Sequence, residues 1–299
     1  MQIATTIAEM KTLRRHYHGT VGFVPTMGYL HQGHLSLAKH ARAESSTVVV
    51  SIFVNPTQFG QTEDFKTYPR NIDLDFELLK KEGVDIVFVP SNDEIYPNRF
   101  NSWVDVEMVT EQLEGARRPG HFKGVTTVVA KLFNIVEPDR AYFGQKDAQQ
   151  VIVIKKMVAD LNMNIEVVVV STVREEDGLA MSSRNIYLNP KERQAATILF
   201  KCLTLAHDLW EKGERNAQHL RQEMISLINR EPLAKIDYVS IADTATLAEL
   251  AIIDGPALAS LAINIGKTRL IDNVILDQAY SRTSVNSPTI ASDASPAPK

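Results

Sequence analysis

The chain has 299 residues, with 32 Lys and Arg against 36 Asp and Glu, so its formal net charge is −4. This balance disfavours a nucleic-acid partner, because neutralising phosphates requires a surplus of cations. The single cysteine, Cys202, excludes an intramolecular disulfide framework, and no apolar run approaches the roughly 20 residues that span a bilayer. With 44% hydrophobic residues, we expect a soluble, cytoplasmic protein of two domains with no membrane partner.

Short apolar runs alternate with helical patterns in the first half of the chain. The runs are continuously apolar, which is typical of strands buried on both faces of a parallel sheet. The predicted strands are 21–25, 47–54, 85–90, 140–144 and 165–170, and the predicted helices are 33–44, 69–82, 125–136 and 147–161. Pro69 suits the first turn of its helix. The alternation predicts a doubly wound, Rossmann-like α/β domain that binds ligands at the carboxyl ends of its strands.

The pattern changes after a polar loop at 171–189. We predict helices over 191–212 and 217–229 and strands over 235–241 and 257–265, which form a smaller α+β domain. The domains are therefore expected at 1–175 and 176–280. The last segment, 281–299, has no aromatic residue and is rich in Ser, Ala, Thr and Pro, so we expect a disordered tail.

The string PTMGYLHQGH, from Pro25 to His34, joins a predicted strand to a predicted helix. A glycine turn at such a junction lets a ligand approach the backbone, and the N-terminus of the helix favours anions. His31 and His34 are three residues apart, so both can face one ligand and donate to phosphate oxygens. A pair of ordinary loop histidines is the alternative. A zinc site is disfavoured, because the other histidines show no spacing that completes one.

The string NPTQF follows the second strand. Asn55 and Pro56 signal a turn, so Gln58 should emerge where a ligand lies. A side-chain amide both donates and accepts, which suits a hydroxy acid. The alternative is that Asn55 and Gln58 only stabilise the turn.

The string EGARRPGHFKG carries Arg117, Arg118, His121 and Lys123 within seven residues. Such a cationic loop in an acidic protein could hold pyrophosphate or cover a site. A solvated loop is the alternative.

The string FGQKDAQQ follows the fourth strand. Lys146 is placed to meet a phosphate, and Gln150 shares a helix face with Asp147. The alternatives are a surface lysine at position 146 and a plain helix N-cap at Asp147.

The string MSSRN lies in the polar loop between the domains. Ser182, Ser183 and Arg184 could bind a triphosphate with several donors. A serine-rich linker is the alternative.

The ten-residue string at Pro25–His34 resembles the signature of the HIGH-motif nucleotidyltransferase superfamily and, more narrowly, the pantothenate synthetase (pantoate–β-alanine ligase) family. The other four strings resemble the same family in the expected order. MSSRN is similar to the counterpart of the synthetase KMSKS loop, although it lacks the first lysine of that loop. The resemblance covers the first domain and, more weakly, the second.

The resemblance implies ATP-dependent condensation of pantoate with β-alanine through pantoyl adenylate, with Mg²⁺ as cofactor and a homodimer as the assembly. It implies catalytic roles for His31, His34 and Lys146. It implies that Asn55, Gln58 and Gln150 bind pantoate or β-alanine. The ATP-binding residues it implies are Met27, Gly28, Tyr29, Leu30, His31, Gln32, Gly33, His34, Gly144, Gln145, Lys146, Asp147, Val173, Met181, Ser182, Ser183 and Arg184.

Two other functions stay open at this point. A related nucleotidyltransferase would act on a phosphate ester, but Gln58 and Gln150 are neutral where such a substrate needs extra cations. A nucleotide-binding module without catalysis is the second alternative. No protein ligand for Mg²⁺ is assigned, because a solvated helix face accounts better for Asp73 and Asp75.

Overall fold

The computed structural model describes residues 1–61 and 63–278, so the tail predicted at 281–299 lies outside the described residues. Contacts between Cα atoms divide the chain into two units. Unit 1 is Met1–Val170 with Ala245–Leu247, and unit 2 is Ser171–Thr244 with the residues from Ala248 onward. Among the described residues, no helix is both long enough and apolar enough to cross a membrane.

Unit 1 is an α/β domain. Its strands are β1 (Gln2–Ala4), β2 (Val21–Thr26), β3 (Thr47–Ile52), β4 (Ile86–Phe88), β5 (Arg140–Gly144) and β6 (Glu166–Val170). Its helices are α1 (Ile7–His16), α2 (Gln32–Glu44), α3 (Ile72–Lys81), α4 (Asn92–Ile95), α5 (Leu113–Arg117), α6 (His121–Val136) and α7 (Ala148–Asp160), with 3₁₀ turns at Pro56–Gln58 and Gln145–Asp147.

The six strands form one parallel sheet in the order β1-β4-β3-β2-β5-β6, which confirms the doubly wound fold. Every residue of β3 is buried, as the continuous apolar run predicts. The chain moves outward from β2 through β3 and β4, then returns to place β5 on the other side of β2. This reversal of strand order opens a crevice at the carboxyl ends of β2 and β5, where such folds bind ligands.

Several boundaries differ from the sequence prediction. The helix predicted from Pro69 begins at Ile72, because the Asn71 side chain caps it by accepting from the Leu74 N–H at 3.3 Å. Helix α6 begins at His121, four residues earlier than predicted, after Gly120 with φ of 81°. Helix α1 was not predicted from its polar sequence, and a reciprocal capping box between Thr6 and Glu9 starts it.

Unit 2 contains α8 (Pro190–Ala195), α9 (Ile198–Glu211), α10 (Ala217–Ile228), β7 (Ala234–Asp243), β8 (Ala257–Ile265) and β9 (Thr268–Leu276). The strands form an antiparallel sheet in the order β7-β8-β9, which confirms a small α+β domain. The single helix predicted over 191–212 is wrong, because the chain turns at residues 196–197 between α8 and α9. Cys202 is fully buried in the core of this unit, and burial raises the pKa of its thiol to about 12.

Candidate active site

A cavity of about 150 Å³ lies in unit 1 beyond the carboxyl ends of β2, β3 and β5. Its polar lining includes Thr26, His34, Asn55, Gln58, Asp147 and Gln150. Its apolar lining includes Met27, Val125, Val129, Leu132 and Phe143. A cavity that combines an apolar wall with convergent polar groups is a common form of small-molecule site.

The turn after β2 enters the left-handed region at two successive residues. Gly28 has φ of 80° and Tyr29 has φ of 50°. A Cβ atom at Gly28 would lie 2.9 Å from Ile52 Cγ2, so a side chain there would be both strained and crowded. The Thr26 hydroxyl donates to the Ser51 carbonyl at 2.8 Å and accepts from the Gly28 N–H at 3.2 Å, which ties the turn to β3.

The side chain of Asp75, on α3, binds the backbone of this turn. Its carboxylate accepts from the Tyr29 N–H and from the Leu30 N–H, each at 2.8 Å. The side chain is buried, so the solvated-face interpretation is wrong for Asp75, whereas Asp73 is exposed. The N–H groups of Tyr29 and Leu30 therefore donate to a protein carboxylate and not to a ligand. Sequence patterning missed this contact because α3 is distant from the turn along the chain.

The two histidines cap the helix that they begin. His31 Nδ1 accepts from the Gly33 N–H at 3.1 Å, and His34 Nδ1 accepts from the His31 N–H at 3.4 Å. Each neutral ring therefore carries its proton on Nε2. The ring centroids are 4.1 Å apart, so the pair forms one donor surface. The expectation of unsatisfied N–H groups in this first turn is wrong for Gly33.

Both imidazoles are uncharged near neutral pH. Burial lowers the pKa of His31 to about 2, with smaller contributions from His34 and Lys146. Burial also lowers the pKa of His34 to about 4, where the nearby Asp147 carboxylate opposes the effect and Lys146 adds to it. The rings are consequently neutral hydrogen-bond donors, and Lys146 supplies the positive charge beside them.

Lys146 and Asp147 follow β5. The Lys146 Nζ atom lies 3.5 Å from an Asp147 carboxylate oxygen. Asp147 occupies the N-cap position of α7, but its side chain makes no capping hydrogen bond, so the N-cap interpretation of its carboxylate is wrong. Gly144 lines the cavity, and a Cβ atom there would meet no described atom within 4 Å. Its neighbourhood therefore leaves room for a ligand against the backbone.

Asn55 fixes the orientation of Gln58. Its amide nitrogen donates to Gln58 Oε1 at 3.0 Å and to the Gly124 carbonyl at 3.1 Å. Its oxygen accepts from the Thr57 and Tyr96 hydroxyls, both at 2.9 Å. The Gln58 NH₂ group is left to donate to the Met27 thioether at 3.2 Å, which is a weak acceptor. The structure thus gives Asn55 a positioning role, while its direct contact with substrate stays a prediction.

Side chains of the cationic string before and at the start of α6 are paired with other residues of the protein. Arg118 pairs with Glu63 through two hydrogen bonds of 2.8 and 2.7 Å, and Lys123 lies 3.2 Å from Asp105. Arg118 also donates to His121 Nε2 at 3.1 Å, so His121 donates from Nδ1 to the Gln58 carbonyl at 2.8 Å. Through His121, which Arg118 orients, the string supports Gln58.

The neighbouring glutamines of α7 have different uses. Gln149 is buried, accepts from the Glu114 N–H at 2.9 Å, and donates to the Val109 and Gln112 carbonyls at 2.8 Å each. Gln150 lines the cavity, and no group within residues 1–61 and 63–278 hydrogen-bonds its side chain. Its amide is available to a ligand.

The remaining predicted residues divide between the units. Gln32 and Gly33 form the first turn of α2, and Gln145 lies in the 3₁₀ turn before α7. Val173, Met181, Ser182, Ser183 and Arg184 lie in unit 2.

The loop of unit 2 is internally ordered by its own hydrogen bonds. The Val173 carbonyl accepts from the Met181 N–H at 3.0 Å. The Ser182 hydroxyl accepts from the Arg184 N–H at 3.3 Å and begins a 3₁₀ helix at Ser183. Asn185 donates to Glu175 and to the Ala180 carbonyl. Among the described residues of either unit, no group of three or more His, Cys, Asp or Glu side chains could hold a metal ion.

The doubly wound sheet and the histidine pair at its strand-order reversal define a nucleotide-using enzyme of the HIGH-motif class. A family model for pantoate-beta-alanine ligase matches residues 2–275. The pantothenate synthetase of Roseiflexus castenholzii is 57% identical over 277 residues, which are 93% of this chain and 100% of that protein.

Solved structures agree with these matches. The pantothenate synthetase of Thermus thermophilus is similar with a TM-score of 0.89 and 45% identity, covering 93% of this chain and 100% of that one. A pantoate-beta-alanine ligase from Francisella tularensis, complexed with beta-gamma ATP and β-alanine, is similar with a TM-score of 0.76 and 37% identity, covering 92% and 98%. The chain belongs to the pantoate–β-alanine ligase family. Its activity is the ATP-dependent condensation of pantoate with β-alanine.

Proposed function

We propose that the cavity of unit 1 binds pantoate and that His31, His34 and Lys146 bind the phosphates of ATP beside it. One observation carries this assignment. Two neutral imidazoles present Nε2–H donors next to an ammonium, at the crevice where the sheet reverses its strand order. Donors fixed before the reaction stabilise charge that develops on phosphate oxygens.

In the first step, a pantoate carboxylate oxygen attacks the α-phosphorus of ATP. The bond from that phosphorus to the bridging oxygen breaks, giving pantoyl adenylate and pyrophosphate. The obstacle is the approach of an anion to a polyanion, so catalysis consists of positioning and charge neutralisation. Lys146 neutralises charge, while the two imidazoles donate without adding the desolvation cost of further buried cations.

In the second step, the amine of β-alanine attacks the acyl carbon of the mixed anhydride. The bond to the adenylate oxygen breaks, AMP leaves, and the amine nitrogen loses a proton as the amide forms. Here too the chain acts by holding the two reactants together.

Pantoate is a hydroxy acid with two methyl groups on one carbon, and the cavity matches both parts. The Gln58 NH₂ group exchanges a weak thioether acceptor for a substrate oxygen, and Gln150 offers a second amide. Val125, Val129 and Leu132 supply an apolar wall for the methyl groups. Asn55 contributes by fixing Gln58 and is assigned to the same substrate region.

For unit 2, we assign Ser182, Ser183 and Arg184 to the phosphates of ATP, and Val173 with Met181 to its adenine. The support is the family resemblance of the string together with the local order of the loop, in which the Met181 N–H donates to the Val173 carbonyl at 3.0 Å. The other residues that we propose for ATP binding lie in unit 1: Met27, Gly28, Tyr29, Leu30, Gln32, Gly33, Gly144, Gln145 and Asp147.

Mg²⁺ is also part of the proposal. Asp147 is the carboxylate among the described residues that line the cavity, and its side chain is 48% exposed. One carboxylate with substrate phosphates and waters is a frequent ligand set for Mg²⁺. Asp147 would hold the ion, and the ion would neutralise phosphate charge. Both oxygens of Asp75 already accept backbone N–H groups, so Asp75 is not assigned to the metal.

We further propose a cytoplasmic homodimer. The family resemblance supports it, and so do two large apolar side chains exposed on unit 1, Trp103 at 47% and Met108 at 73%. Sedimentation equilibrium of the full chain measures the mass of the assembly, and a monomer at micromolar concentration would contradict this part of the proposal.

The site assignment is tested with Gln58→Leu, which removes the amide but keeps an apolar side chain of similar size. We expect the KM for pantoate in pantoate-dependent exchange of pyrophosphate into ATP to rise about 10- to 100-fold, equivalent to about 1–3 kcal/mol for hydrogen bonds lost at a buried site. Gln222→Leu, on the exposed face of α10, is the matched control. An unchanged KM for pantoate in Gln58→Leu would contradict the assignment of the cavity.

A further inference from the structure

The turn that delivers the two histidines is held by a carboxylate from another part of the chain. Asp75 is 1% exposed, and each of its two oxygens accepts one backbone N–H, from Tyr29 and from Leu30, at 2.8 Å. These two residues directly precede His31. We propose that Asp75 is a positioning residue for the reaction, which sets the orientation of His31 and His34 by fixing the turn before them.

The backbone of this turn requires an external support. Gly28 and Tyr29 both have positive φ, and this conformation is unfavourable for Tyr29 because it carries a Cβ atom. An extended or right-handed backbone at Tyr29 would change the angle between the Tyr29 and Leu30 N–H groups, which both point to the one Asp75 carboxylate. Two charge-assisted hydrogen bonds to one carboxylate oppose that change, since each exceeds a neutral hydrogen bond in strength.

The next residue connects the turn to the donors. His31 occupies the N-cap position of α2, and its own N–H is bound by His34 Nδ1 at 3.4 Å. The Gly33 N–H in turn fixes His31 Nδ1. A rotation of the backbone at Leu30 would therefore disturb both capping hydrogen bonds, and with them the tautomer and direction of both rings. Catalytic groups tolerate little misplacement, because an error of about 1 Å can cost about 10²-fold in rate.

Burying the Asp75 carboxylate carries a desolvation cost, which indicates that this residue does more than fill space in the core. Burial raises the pKa of this carboxyl, and the two backbone N–H groups lower it. An apolar residue at this place in α3 would pack without that penalty, but it would leave the N–H groups of Tyr29 and Leu30 without acceptors. The carboxylate is thus matched to the turn.

The variant Asp75→Asn tests the proposal, which rests on the assigned roles of His31 and His34. An asparagine keeps the shape but presents one NH₂ group to a backbone N–H, so one of the two hydrogen bonds is lost. In pantoate-dependent pyrophosphate exchange we expect kcat to fall about 10- to 100-fold, while the KM values for ATP and pantoate change by less than about threefold.

Asp85→Asn is the matched control. Asp85 also accepts a backbone N–H, from Val48 at 2.8 Å, and pairs with Arg42 at 2.7 Å, but it lies near the amino ends of the strands and away from the cavity. We expect both variants to lower the midpoint of thermal unfolding and only Asp75→Asn to lower kcat by more than about twofold. Equal losses of kcat in the two variants, or a kcat of Asp75→Asn within about twofold of wild type, would overturn the proposal.

Long-range ¹H–¹⁵N spectra give a readout that stability alone does not move. The wild-type chain should show His31 and His34 as Nε2–H tautomers, and Asp75→Asn should show mixed tautomers for both rings. Amide hydrogen exchange of the wild type tests the contact without any variant, with slow exchange expected at Tyr29 and Leu30. Fast exchange at both amides would overturn the proposal even if the variants do not fold.

The proposed function fails separately from this inference. Wild-type-like exchange activity in His34→Ala would contradict the role of the histidines themselves. A large loss in His34→Ala with no loss in Asp75→Asn would leave that role intact and remove only the positioning role of Asp75.

Discussion

Helices α2 and α6 both have histidines at their N-termini, and the two N-termini use the imidazole in opposite ways. At α2, Nδ1 of His31 and of His34 accepts a backbone N–H, and no described group takes the proton on Nε2. At α6, His121 donates from Nδ1 to the Gln58 carbonyl and accepts at Nε2 from Arg118. A ring with both nitrogens bound by the protein is a support, whereas a ring with one outward donor is available to a ligand.

The charged side chains near the N-termini of α2 and α6 also differ in their surroundings. Arg118 and Lys123 near α6 form ion pairs with Glu63 and Asp105. Near α2, the Lys146 ammonium lies close enough to lower the pKa of both His31 and His34. The stretch richest in cations is therefore not the one for which we propose phosphate binding. Lys146 also lies 3.5 Å from a carboxylate oxygen, that of Asp147, so the two stretches differ in where their cations lie and not in whether they are paired. Charge density along a sequence does not show that difference.

The largest expected effect tests the ligand-facing side of this comparison. His34→Ala removes one Nε2–H donor and the cap on His31, and we expect kcat for pyrophosphate exchange to fall about 10²- to 10³-fold. His40→Ala, on the exposed face of the same helix, is the control and should retain activity. Activity of His34→Ala within about fivefold of the control would break the comparison.

Lys146→Ala removes the positive charge beside the two rings. We expect about a 10²-fold lower kcat/KM for ATP in the exchange assay, because a point charge on phosphate is lost. Lys156→Ala on α7, an exposed lysine paired with Asp160, should leave kcat/KM unchanged. Equal behaviour of the two lysine variants would show that Lys146 does not contact the nucleotide.

His121→Ala tests the supporting side. Loss of the hydrogen bond to the Gln58 carbonyl should raise the KM for pantoate about 10-fold, with a smaller change in the KM for ATP. Initial rates with each substrate varied in turn separate the two constants. If His121→Ala instead lowered kcat as strongly as His34→Ala, the division between ligand-facing and supporting histidines would be wrong.

The smallest expected effect is on stability at acidic pH. Burial lowers the pKa of His121 to about 4, below the ordinary value of 6.5, so the unfolded chain binds its proton first as the pH falls. The contribution of this residue is present above pH about 6.5 and decreases as the pH falls toward 4. As the pH falls from 7 to 5, protonation of His121 in the unfolded chain should lower the free energy of unfolding by roughly 1–2 kcal/mol.

Urea unfolding of wild type and His121→Asn at both pH values measures this contribution. The variant should show a weaker dependence on pH than the wild type, whereas His16→Asn, at an exposed position, should not alter it. An unchanged dependence in His121→Asn would show that its imidazole is not kept neutral by the fold.

Much of unit 1 could be predicted from local patterns. Continuous apolar runs identified β2, β3 and β5, and a strand–turn–helix junction identified the place of His31 and His34. In unit 2, β9 and the turn between α8 and α9 were not predicted. A short helix break in a run of helix-forming residues leaves little local signal, and the contacts that stabilise it lie elsewhere in the chain.

The site shows the same limit more sharply. The motif strings predicted Gln58, Lys146 and Gln150 as site residues, because their residue types and spacing carry the information. His121 was predicted only as part of a cationic loop, and Asp75 was set aside as part of a solvated helix face. Their supporting contacts were not predicted, since each binds backbone groups that lie 45 to 63 positions away in the sequence. A side chain that binds a distant N–H or carbonyl leaves no periodic or local pattern.

The amino-acid sequence by itself determined the class of fold, the succession of most strands and helices along the chain, and the residues whose side chains can bind or react with a ligand. Only the tertiary structure decided which imidazole nitrogens face outward, which cations are already paired and which carboxylate holds the histidine turn. The physical reason is that residue type fixes what a group can donate or accept, whereas its actual partners depend on atoms that folding brings together from distant parts of the chain.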